Sequence, residues 1–294
     1  MMNIFTAFNE DYVLPTKVML KSLIENQTES LTIYVFYSSL SQKSIDSIRK
    51  LEDSGKASFC FMKVDDSFLE GFSIPWRFSK ETYYRLFAHR LFPEEVERVL
   101  WLDGDMIING SLSAFYNQEF REKLFVAVEN FNEKLNEEKK IVLQMPLDSK
   151  YANTGVILFN LREMRDRLID QKIMQYIIEN QDILLLADQD VFNGFLHQHL
   201  QVVDSSYRYN YFHNRVTNEN KAKIYSKVYI IHYCGNDKPW KDNYDLPAAD
   251  LWWKYALKTG PEYLELFFLT HCSKAELKNA KKEIAQKCCD WLNA

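Results

Sequence analysis

The residues best suited to chemistry in this chain are two carboxylates placed one residue apart, Asp103 and Asp105. Apolar residues flank them throughout residues 99–108, a pattern that predicts a buried strand ending at Asp103. A buried carboxylate without a partner is costly, and a cation could balance both charges. Hard oxygen ligands suit Mg²⁺ or Mn²⁺, which in enzymes usually also hold phosphate oxygens. The alternative is a strand followed by a solvated Asp-Gly-Asp turn.

Composition indicates a packed globular protein. The 294 residues are 47% hydrophobic and 15% aromatic, and no apolar run approaches the roughly 20 residues that a membrane span needs. A net charge of −5 argues against a nucleic-acid partner bound mainly by charge. The N-terminus lacks the pattern of a signal peptide, and five cysteines form neither a CxxC pair nor a paired framework. We therefore expect a reduced, cytoplasmic protein.

The elements that must position these carboxylates alternate along the chain. Strand patterns are predicted at residues 2–8, 32–37, 57–64 and 99–102, with helical patterns between them, including residues 81–91. Ser41 is predicted to cap the second helix. Alternation of this kind predicts an α/β fold with a mainly parallel sheet and helices on both faces. Ligands of such sheets bind beyond the carboxyl ends of the strands, where Asp103 and Asp105 are expected.

The second half of the chain continues the pattern less regularly. Strands are predicted at residues 125–129, 155–160 and 228–233, a long helix at 161–179, and a solvated helix or loop over the site at 133–140. After about residue 245 the character changes to helices rich in Trp and Phe. We therefore predict one domain over residues 1–245 and a helical segment over residues 246–294.

Four further clusters near predicted strand or helix ends could bind a ligand. Ala7, Asn9 and Asp11 leave the first strand, where small residues admit a flat ring and the polar pair could read its edge or cap a helix. Asn153 and Thr154 precede Gly155, which permits close backbone approach.

Three consecutive polar residues, Asp188, Gln189 and Asp190, introduce a helix. Asp188 is suited to be its N-cap and Asp190 to its positive first turn, so a structural explanation exists. A mixture of carboxylates and an amide would equally suit the hydroxyl groups of a sugar. Both readings remain open from the residues alone.

The last cluster follows the apolar strand at residues 228–233. His232 is followed by Gly235 and Lys238 in a turn that contains Pro239. Backbone amides and an ammonium group in such a turn could hold phosphate oxygens beside a metal-bound imidazole. A lone strand histidine is more often an ordinary core residue, so the case depends on its combination with Asp103 and Asp105.

Taken in order, these clusters resemble the family 8 glycosyltransferases, which include bacterial lipopolysaccharide galactosyl- and glucosyltransferases. The matching segments, together with Thr82-Tyr83-Tyr84-Arg85-Leu86, extend over about 230 residues from Thr6 to Trp240. The resemblance implies a GT-A type nucleotide-sugar-binding fold, a UDP-hexose donor, Mn²⁺ or Mg²⁺, and a glycan or other hydroxyl acceptor in bacterial cell-surface glycan synthesis. It implies Asp103, Asp105 and His232 as metal ligands. Donor contacts are implied at Ala7, Asn9, Asp11, Arg85, Gly104, Asn153, Thr154, Asp188, Gln189, Gly235 and Lys238.

The resemblance also implies transfer with retention of anomeric configuration, by one of two routes. Gln189 is a neutral amide and a poor nucleophile, which favours attack of the acceptor on the same face that the phosphate leaves. Asp190 is the carboxylate candidate for a covalent double displacement, and Asp188 is placed in the same catalytic group. Glu129 loosely matches an acceptor-facing acid. Neither the choice between galactose and glucose nor the acceptor can be read from the residues.

Two other functions compete with this interpretation. A non-catalytic UDP-sugar-binding protein would hold the donor without releasing UDP. A phosphohydrolase of the haloacid-dehalogenase type also ends a strand in Asp-x-Asp, although Met106 departs from its pattern. The aromatic residues after 250 predict a packed helical cap. A Lys-rich tail beyond them could touch anionic lipid at the inner face of the membrane.

Overall fold

The computed structural model describes residues 1–76, 78–167, 169–203, 208–241 and 246–271. Its strands are β1 Met2–Ala7, β2 Leu31–Tyr37, β3 Ala57–Lys63, β4 Arg98–Leu102, β5 Met106–Ile108, β6 Phe125–Glu129, β7 Ala152–Asn160, β8 Leu200–Val203, β9 Tyr211–Phe212 and β10 Ile230–His232. Its helices are α1 Val13–Asn26, α2 Gln42–Arg49, α3 Ala88–Leu91, α4 Ser113–Tyr116, α5 Glu133–Val142, α6 Leu161–Arg167, α7 Asp170–Glu179, α8 Asp188–Gly194, α9 Lys221–Tyr225, α10 Ala249–Thr259 and α11 Glu262–His271. Short 3₁₀ helices include Glu10–Tyr12 and Lys80–Phe87.

A seven-stranded sheet in the order β3-β2-β1-β4-β7-β6-β8 forms the centre of the molecule. The pairs among β3, β2, β1 and β4 are parallel, as is the pair of β6 with β8, whereas β7 runs antiparallel to both neighbours. The predicted α/β class with a mainly parallel sheet is therefore confirmed. Because β7 is reversed, the start of β7 lies beside the carboxyl end of β4, and residues 152–155 reach the edge where Asp103 stands.

A second sheet of three strands, β5-β10-β9, was not expected from the sequence. The chain leaves the large sheet after β4, passes through Asp103-Gly104-Asp105 and enters β5, which pairs antiparallel with β10. In that register His232 lies opposite Met106. The small sheet thus returns a residue from far along the chain to a position beside the two carboxylates.

Strand alternation divides the core between the two faces of the large sheet. Phe5, Trp101 and Phe159 pack on one face, with aromatic ring centroids 4.7 to 5.4 Å apart. Ile4 and Leu100 contribute to the core on the other face. All five side chains are buried, as the near-continuous apolar strands required.

Three helical expectations need adjustment. The segment predicted as one helix over 161–179 forms two, α6 and α7. The segment 81–91 is mostly the tighter 3₁₀ helix Lys80–Phe87, within which the Arg85 guanidinium bonds the Thr82 carbonyl, followed by the short α3. The charged stretch 133–140 forms α5, exposed at its start but with Lys139 buried on its inner side. Ser41 caps α2 as predicted, accepting a hydrogen bond from the Ser44 amide.

The helices after residue 245 form the packed cap that was predicted. Trp252, Trp253 and Tyr263 are buried and share a core with Val18 of α1 and Ile231 of β10. The Lys-rich tail, containing Lys278, Lys281, Lys282 and Lys287, lies outside the described residues, as do Cys272, Cys288 and Cys289. Among the described residues, no helix combines the length and apolar character needed to span a bilayer.

Candidate active site

Asp103, Asp105 and His232 meet at the carboxyl edge of the large sheet. One possible ligand atom from each lies within 4.8 Å of the others. His232 Nε2 is 3.2 Å from an Asp105 carboxylate oxygen and 3.7 Å from one of Asp103. The backbone joins the strands at the same point, since the Tyr233 amide donates to the Asp105 carbonyl. Two carboxylates and an imidazole form a ligand set that fits a Mn²⁺-type ion.

Basic side chains balance the charge of these carboxylates. Lys238 Nζ is 2.5 Å from Asp105 and also 2.5 Å from the Tyr233 carbonyl oxygen. Burial raises the pKa of Asp105, but Lys238 and His232 outweigh it and hold that pKa far below its usual range. Burial lowers the pKa of His232, whereas its neighbours, among them Asp105, raise it to about 10. The Asp105 carboxylate therefore stays ionised at a lower pH than an ordinary aspartate.

Arg85 links the two acidic parts of the site. Its guanidinium lies 3.1 Å from an Asp103 oxygen and 3.2 Å from an Asp188 oxygen, and it donates to the Thr154 carbonyl at 2.6 Å. The group also stacks 4.0 Å above the Trp101 ring. A planar, always charged guanidinium can make all of these contacts at once, which an ammonium group could not. Arg85 is thus a buried cation that contacts both Asp103 and Asp188.

Asp188 does not cap the helix that it begins. It is the first residue of α8, Ala187 occupies the cap position, and no side-chain cap bond forms. The carboxylate turns inward toward Arg85 and is almost completely buried. Burial raises the pKa of Asp188 to about 7, although Arg85 acts in the opposite direction. The N-cap explanation of Asp188 is therefore wrong, because its side chain is recruited into the site.

Amide side chains line the wall opposite the three clustered ligand atoms. Asn153 and Thr154, which were expected to precede a strand, lie inside β7 at a break in its pairing with β6. Asn153 Nδ2 donates to Gln189 Oε1 at 3.0 Å, and the Thr154 amide approaches the same oxygen at 3.3 Å. Gln189 Nε2 in turn donates to the Tyr151 hydroxyl. The predicted Asn153, Thr154 and Gln189 are thus brought together.

Asp190 lies behind this wall and is fully buried. One carboxylate oxygen accepts from Lys139 at 2.7 Å and from the Leu186 amide at 2.8 Å, and the other accepts from the Tyr151 hydroxyl. Three donors therefore hold the group, and one of them carries a full positive charge. The structure separates Asp190 from Asp188, whose carboxylate faces Arg85.

The predicted cluster near the N-terminus lies at the same edge of the large sheet, at the end of β1. Ala7 is the last residue of β1. Asn9 precedes the 3₁₀ helix Glu10–Tyr12 without forming a side-chain cap bond, so the capping alternative is wrong for Asn9. Asp11 is exposed. The neighbouring Glu10 instead accepts from Ser41 and Ser44 at the start of α2, which anchors this turn.

The segment after β10 completes the site. Gly235 adopts a left-handed conformation with φ of 83°, which favours glycine. It turns the chain so that Lys238 returns to Asp105. Tyr12 lies beside this lysine, and burial together with the charge of Asp105 raises its pKa to about 12. Gly104 packs closely against Thr16 of α1, which leaves no room for a side chain there.

Four buried residues of the site were not predicted from the sequence: Trp101, Lys139, Tyr151 and Asn210. Trp101 donates to Asp103 and Asn210 lies against His232, while Lys139 and Tyr151 hold Asp190. None belongs to a motif with recognisable spacing. Only the position of Trp101 two residues before Asp103 offered a local signal. Glu129, loosely assigned to the acceptor side, pairs with Lys150.

Comparisons with known proteins show which family and which fold this chain resembles. The model of glycosyl transferase family 8 matches residues 3–244. A lipopolysaccharide 1,2-glucosyltransferase of Escherichia coli is 22% identical over 256 residues, covering 84% of this chain and 76% of that protein. A lipopolysaccharide 1,3-galactosyltransferase of Salmonella typhimurium is 23% identical over 244 residues, covering 81% and 72%.

Among solved structures, the galactosyltransferase LgtC in complex with donor and acceptor sugar analogs superposes with a TM-score of 0.78. The identity is 21%, and the match covers 90% of this chain and 100% of that one. The predicted GT-A type fold is therefore confirmed, and the haloacid-dehalogenase alternative is excluded. Because the family model matches most of the chain, this protein belongs to glycosyl transferase family 8.

Proposed function

We propose that this protein is a retaining hexosyltransferase that uses Mn²⁺ and transfers galactose or glucose from a UDP-sugar to a hydroxyl group of a glycan. The observation that carries the proposal is the cluster of Asp103, Asp105 and His232 with Lys238 on the same carboxylate. Such a cluster can bind a divalent ion and a diphosphate together. Its place at the carboxyl edge of the sheet is where nucleotides bind in α/β folds.

The donor would lie along this edge from β1 to α8. Ala7, Asn9 and Asp11, at the end of β1, would contact uracil and ribose. Gly235 and Lys238 would contact the diphosphate. The hexose would then reach the wall opposite, where the side chains are carboxylates and amides suited to hydroxyl groups: Asn153, Thr154, Asp188 and Gln189.

Bound Mn²⁺ would supply positive charge where the UDP leaving group becomes more negative. Asp103, Asp105 and His232 would hold it, as the ligand atoms already lie within 4.8 Å of one another. Lys238 would add a second positive charge by turning from Asp105 toward the diphosphate. Arg85 would keep Asp103 and Asp188 in place through its contacts with both carboxylates.

We propose same-face transfer. The bond between the anomeric carbon and the phosphate oxygen breaks, and a bond from that carbon to the acceptor oxygen forms. The hydroxyl proton passes to the leaving phosphate. The burial of Asp190 and its three donors support this route over a covalent one, because a carboxylate tied to Lys139 is a weakened nucleophile.

Cell-surface glycans are the proposed acceptor class, by analogy with the named activities of the relatives. The protein would act in the cytoplasm, with transient contact at the inner face of the membrane. We retain the division into a catalytic domain over residues 1–245 and a helical segment over residues 246–294 as part of this proposal.

Release of free UDP from a panel of nucleotide sugars tests the function, measured with and without Mn²⁺. We expect Mn²⁺-dependent hydrolysis of one UDP-hexose, reduced at least about 100-fold in Asp105→Asn because a charged ligand is lost. Asp46→Asn, a change at an exposed carboxylate of α2, is the control. UDP binding without release, with a glycan acceptor present, would identify a non-catalytic binding protein instead.

A further inference from the structure

A chain of buried hydrogen bonds runs from His232 to the opposite wall of the site. His232 Nδ1 is 2.9 Å from the side-chain oxygen of Asn210, which is completely buried just before β9. Asn210 Nδ2 lies 2.8 Å from Asn153 Oδ1, and Asn153 Nδ2 lies 3.0 Å from Gln189 Oε1. Asn210 is therefore the link between the imidazole and the amides of the opposite wall.

Backbone amides determine the direction of every bond in this chain. The Gly155 amide, which can only donate, lies 2.9 Å from Asn153 Oδ1, so that atom is an acceptor. Asn210 must then present its NH₂ group to Asn153 and its oxygen to His232. The Nδ1 atom of His232 must consequently carry a proton.

The hydrogen bonds at the Gln189 end of this series run in the same direction. The Thr154 amide lies 3.3 Å from Gln189 Oε1, so this oxygen is also an acceptor, and Asn153 faces it with its NH₂ group. No donor opposes another donor, and no acceptor opposes another acceptor, between His232 and Gln189. Two amides of β7 therefore set the orientation of side chains from β10 to α8.

We infer that Asn210 is a positioning residue that holds the His232 imidazole with Nδ1 protonated and Nε2 directed at Asp103 and Asp105. The inference rests on the proposed metal site. A histidine that binds a metal through one ring nitrogen needs the other nitrogen engaged, which fixes both the tautomer and the ring plane. Asn210 also connects the proposed metal ligand to Gln189 through Asn153, which bonds both Asn210 and Gln189.

The first test measures the Mn²⁺ dissociation constant by the EPR signal of free Mn²⁺. We expect Asn210→Leu to weaken binding by about 10- to 100-fold, the range seen when outer-shell partners of a metal site are removed. Asn210→Asp keeps an acceptor for Nδ1–H but places a second acceptor against Asn153 Oδ1, so we expect an affinity between those of the wild type and Asn210→Leu. Asn136→Leu removes another buried asparagine, bonded to Asn130 and outside this chain of bonds, and should leave the affinity unchanged.

A second readout follows the imidazole itself in metal-free protein labelled with ¹⁵N-histidine. The wild type should show a slowly exchanging Nδ1–H signal for His232, which Asn210→Asp retains and Asn210→Leu loses. If Asn210→Leu fails to fold, the His232 signal in Asn210→Asp decides: a retained Nδ1–H signal supports the inference, and its loss overturns it. Unchanged Mn²⁺ affinity and an unchanged signal in a folded Asn210→Leu overturn it as well.

These outcomes are separate from those of the proposed function. If Mn²⁺ affinity depends on Asn210 as predicted but the wild type releases no UDP from any donor, the transferase proposal is refuted and this inference stands. If UDP release depends on Mn²⁺ but neither this release nor the Mn²⁺ affinity changes in Asn210→Leu, this inference is refuted and the transferase proposal stands.

Discussion

At the scale of single residues, the site depends on the close approach of its side chains to one another as much as on their charges. Its acidic groups are each paired with a base: Asp105 with Lys238, and Asp103 with Arg85. Such buried pairs tolerate little displacement, because a carboxylate separated from its partner loses the interaction that offset its desolvation. Small residues beside them are therefore as important as the charged groups themselves.

Gly155 illustrates this requirement. A Cβ atom there would lie 2.5 Å from His232 Cε1 and 2.6 Å from Met106 Cε, so Gly155→Ala must displace the imidazole. We expect stability to fall by about 1–3 kcal/mol, as for other overpacked sites, and Mn²⁺ affinity to fall at least about tenfold. Gly110→Ala is a matched control, since its Cβ would crowd Tyr229 instead. Equal Mn²⁺ affinities for the two variants would contradict the expectation.

The carboxyl group of Asp188 makes stability depend on pH. Its folded pKa of about 7 lies above the ordinary value of 3.8, so between these pH values the native group keeps a proton that the unfolded chain has lost. The free energy of unfolding contributed by this group is therefore greatest below pH 3.8 and falls by up to about 4 kcal/mol as the pH rises to 7 and above.

Asp188→Asn should remove this dependence. Urea unfolding at pH 4, 5, 6 and 7 in the presence of EDTA should show the variant gaining stability relative to wild type as the pH rises. Asp46→Asn, at an exposed position, provides the control. A constant difference between Asp188→Asn and wild type across this range would show that Asp188 is charged in the native state.

At the scale of elements, the site is assembled where strands change sheets. β4 ends at Leu102, the chain crosses through two aspartates, and β5 begins the small sheet. The antiparallel partner β10 then carries His232 back to that crossing, and the reversed strand β7 places its amides on the other side. Helix α8 is attached to β7 by Asn193, whose side chain bonds both the amide and the carbonyl of Ala152.

Helix α5 is attached to α8 by one buried ion pair, Lys139 with Asp190. Lys139→Met should destabilise the protein by about 3–5 kcal/mol, because it leaves a buried carboxylate uncompensated. Adding Asp190→Asn should recover much of that loss, and the double-mutant cycle in chemical denaturation measures the coupling. Lys134→Met, on the exposed side of α5, should change little. Strict additivity of the two single changes would refute the coupling.

At the scale of the whole molecule, the helices after residue 245 are part of the same packed body as the site. Trp252 packs against Trp240 with ring centroids 5.2 Å apart, and Trp240 lies against Tyr12. The Tyr233 hydroxyl donates to the Ala248 carbonyl, and Lys17 of α1 pairs with Glu262 of α11. The turn that carries Lys238 is consequently supported from outside by α10.

Trp252→Ala should therefore affect stability throughout the molecule. We expect one cooperative unfolding transition, shifted by about 3–5 kcal/mol, because a large side chain is removed from a core shared with α1 and β10. Trp76→Ala, at an exposed tryptophan, is the matched control. Two separate transitions in calorimetry, only one of them sensitive to Trp252, would instead support independent folding of residues 246–294.

The sequence alone was sufficient for the α/β class, for six of the seven strands of the large sheet, and for the cluster of Asp103, Asp105 and His232, but it did not predict β8. These follow from local patterns: apolar runs that require burial, and polar residues placed where the runs stop. The small sheet, the reversal of β7 and the inward turn of Asp188 were decided by tertiary structure. Strand pairing and side-chain direction depend on contacts between residues far apart in the chain, such as Met106 with His232. Asn210 shows the same limit, because its neighbours Tyr209 and Tyr211 carry no signal of a hydrogen bond made 22 residues away.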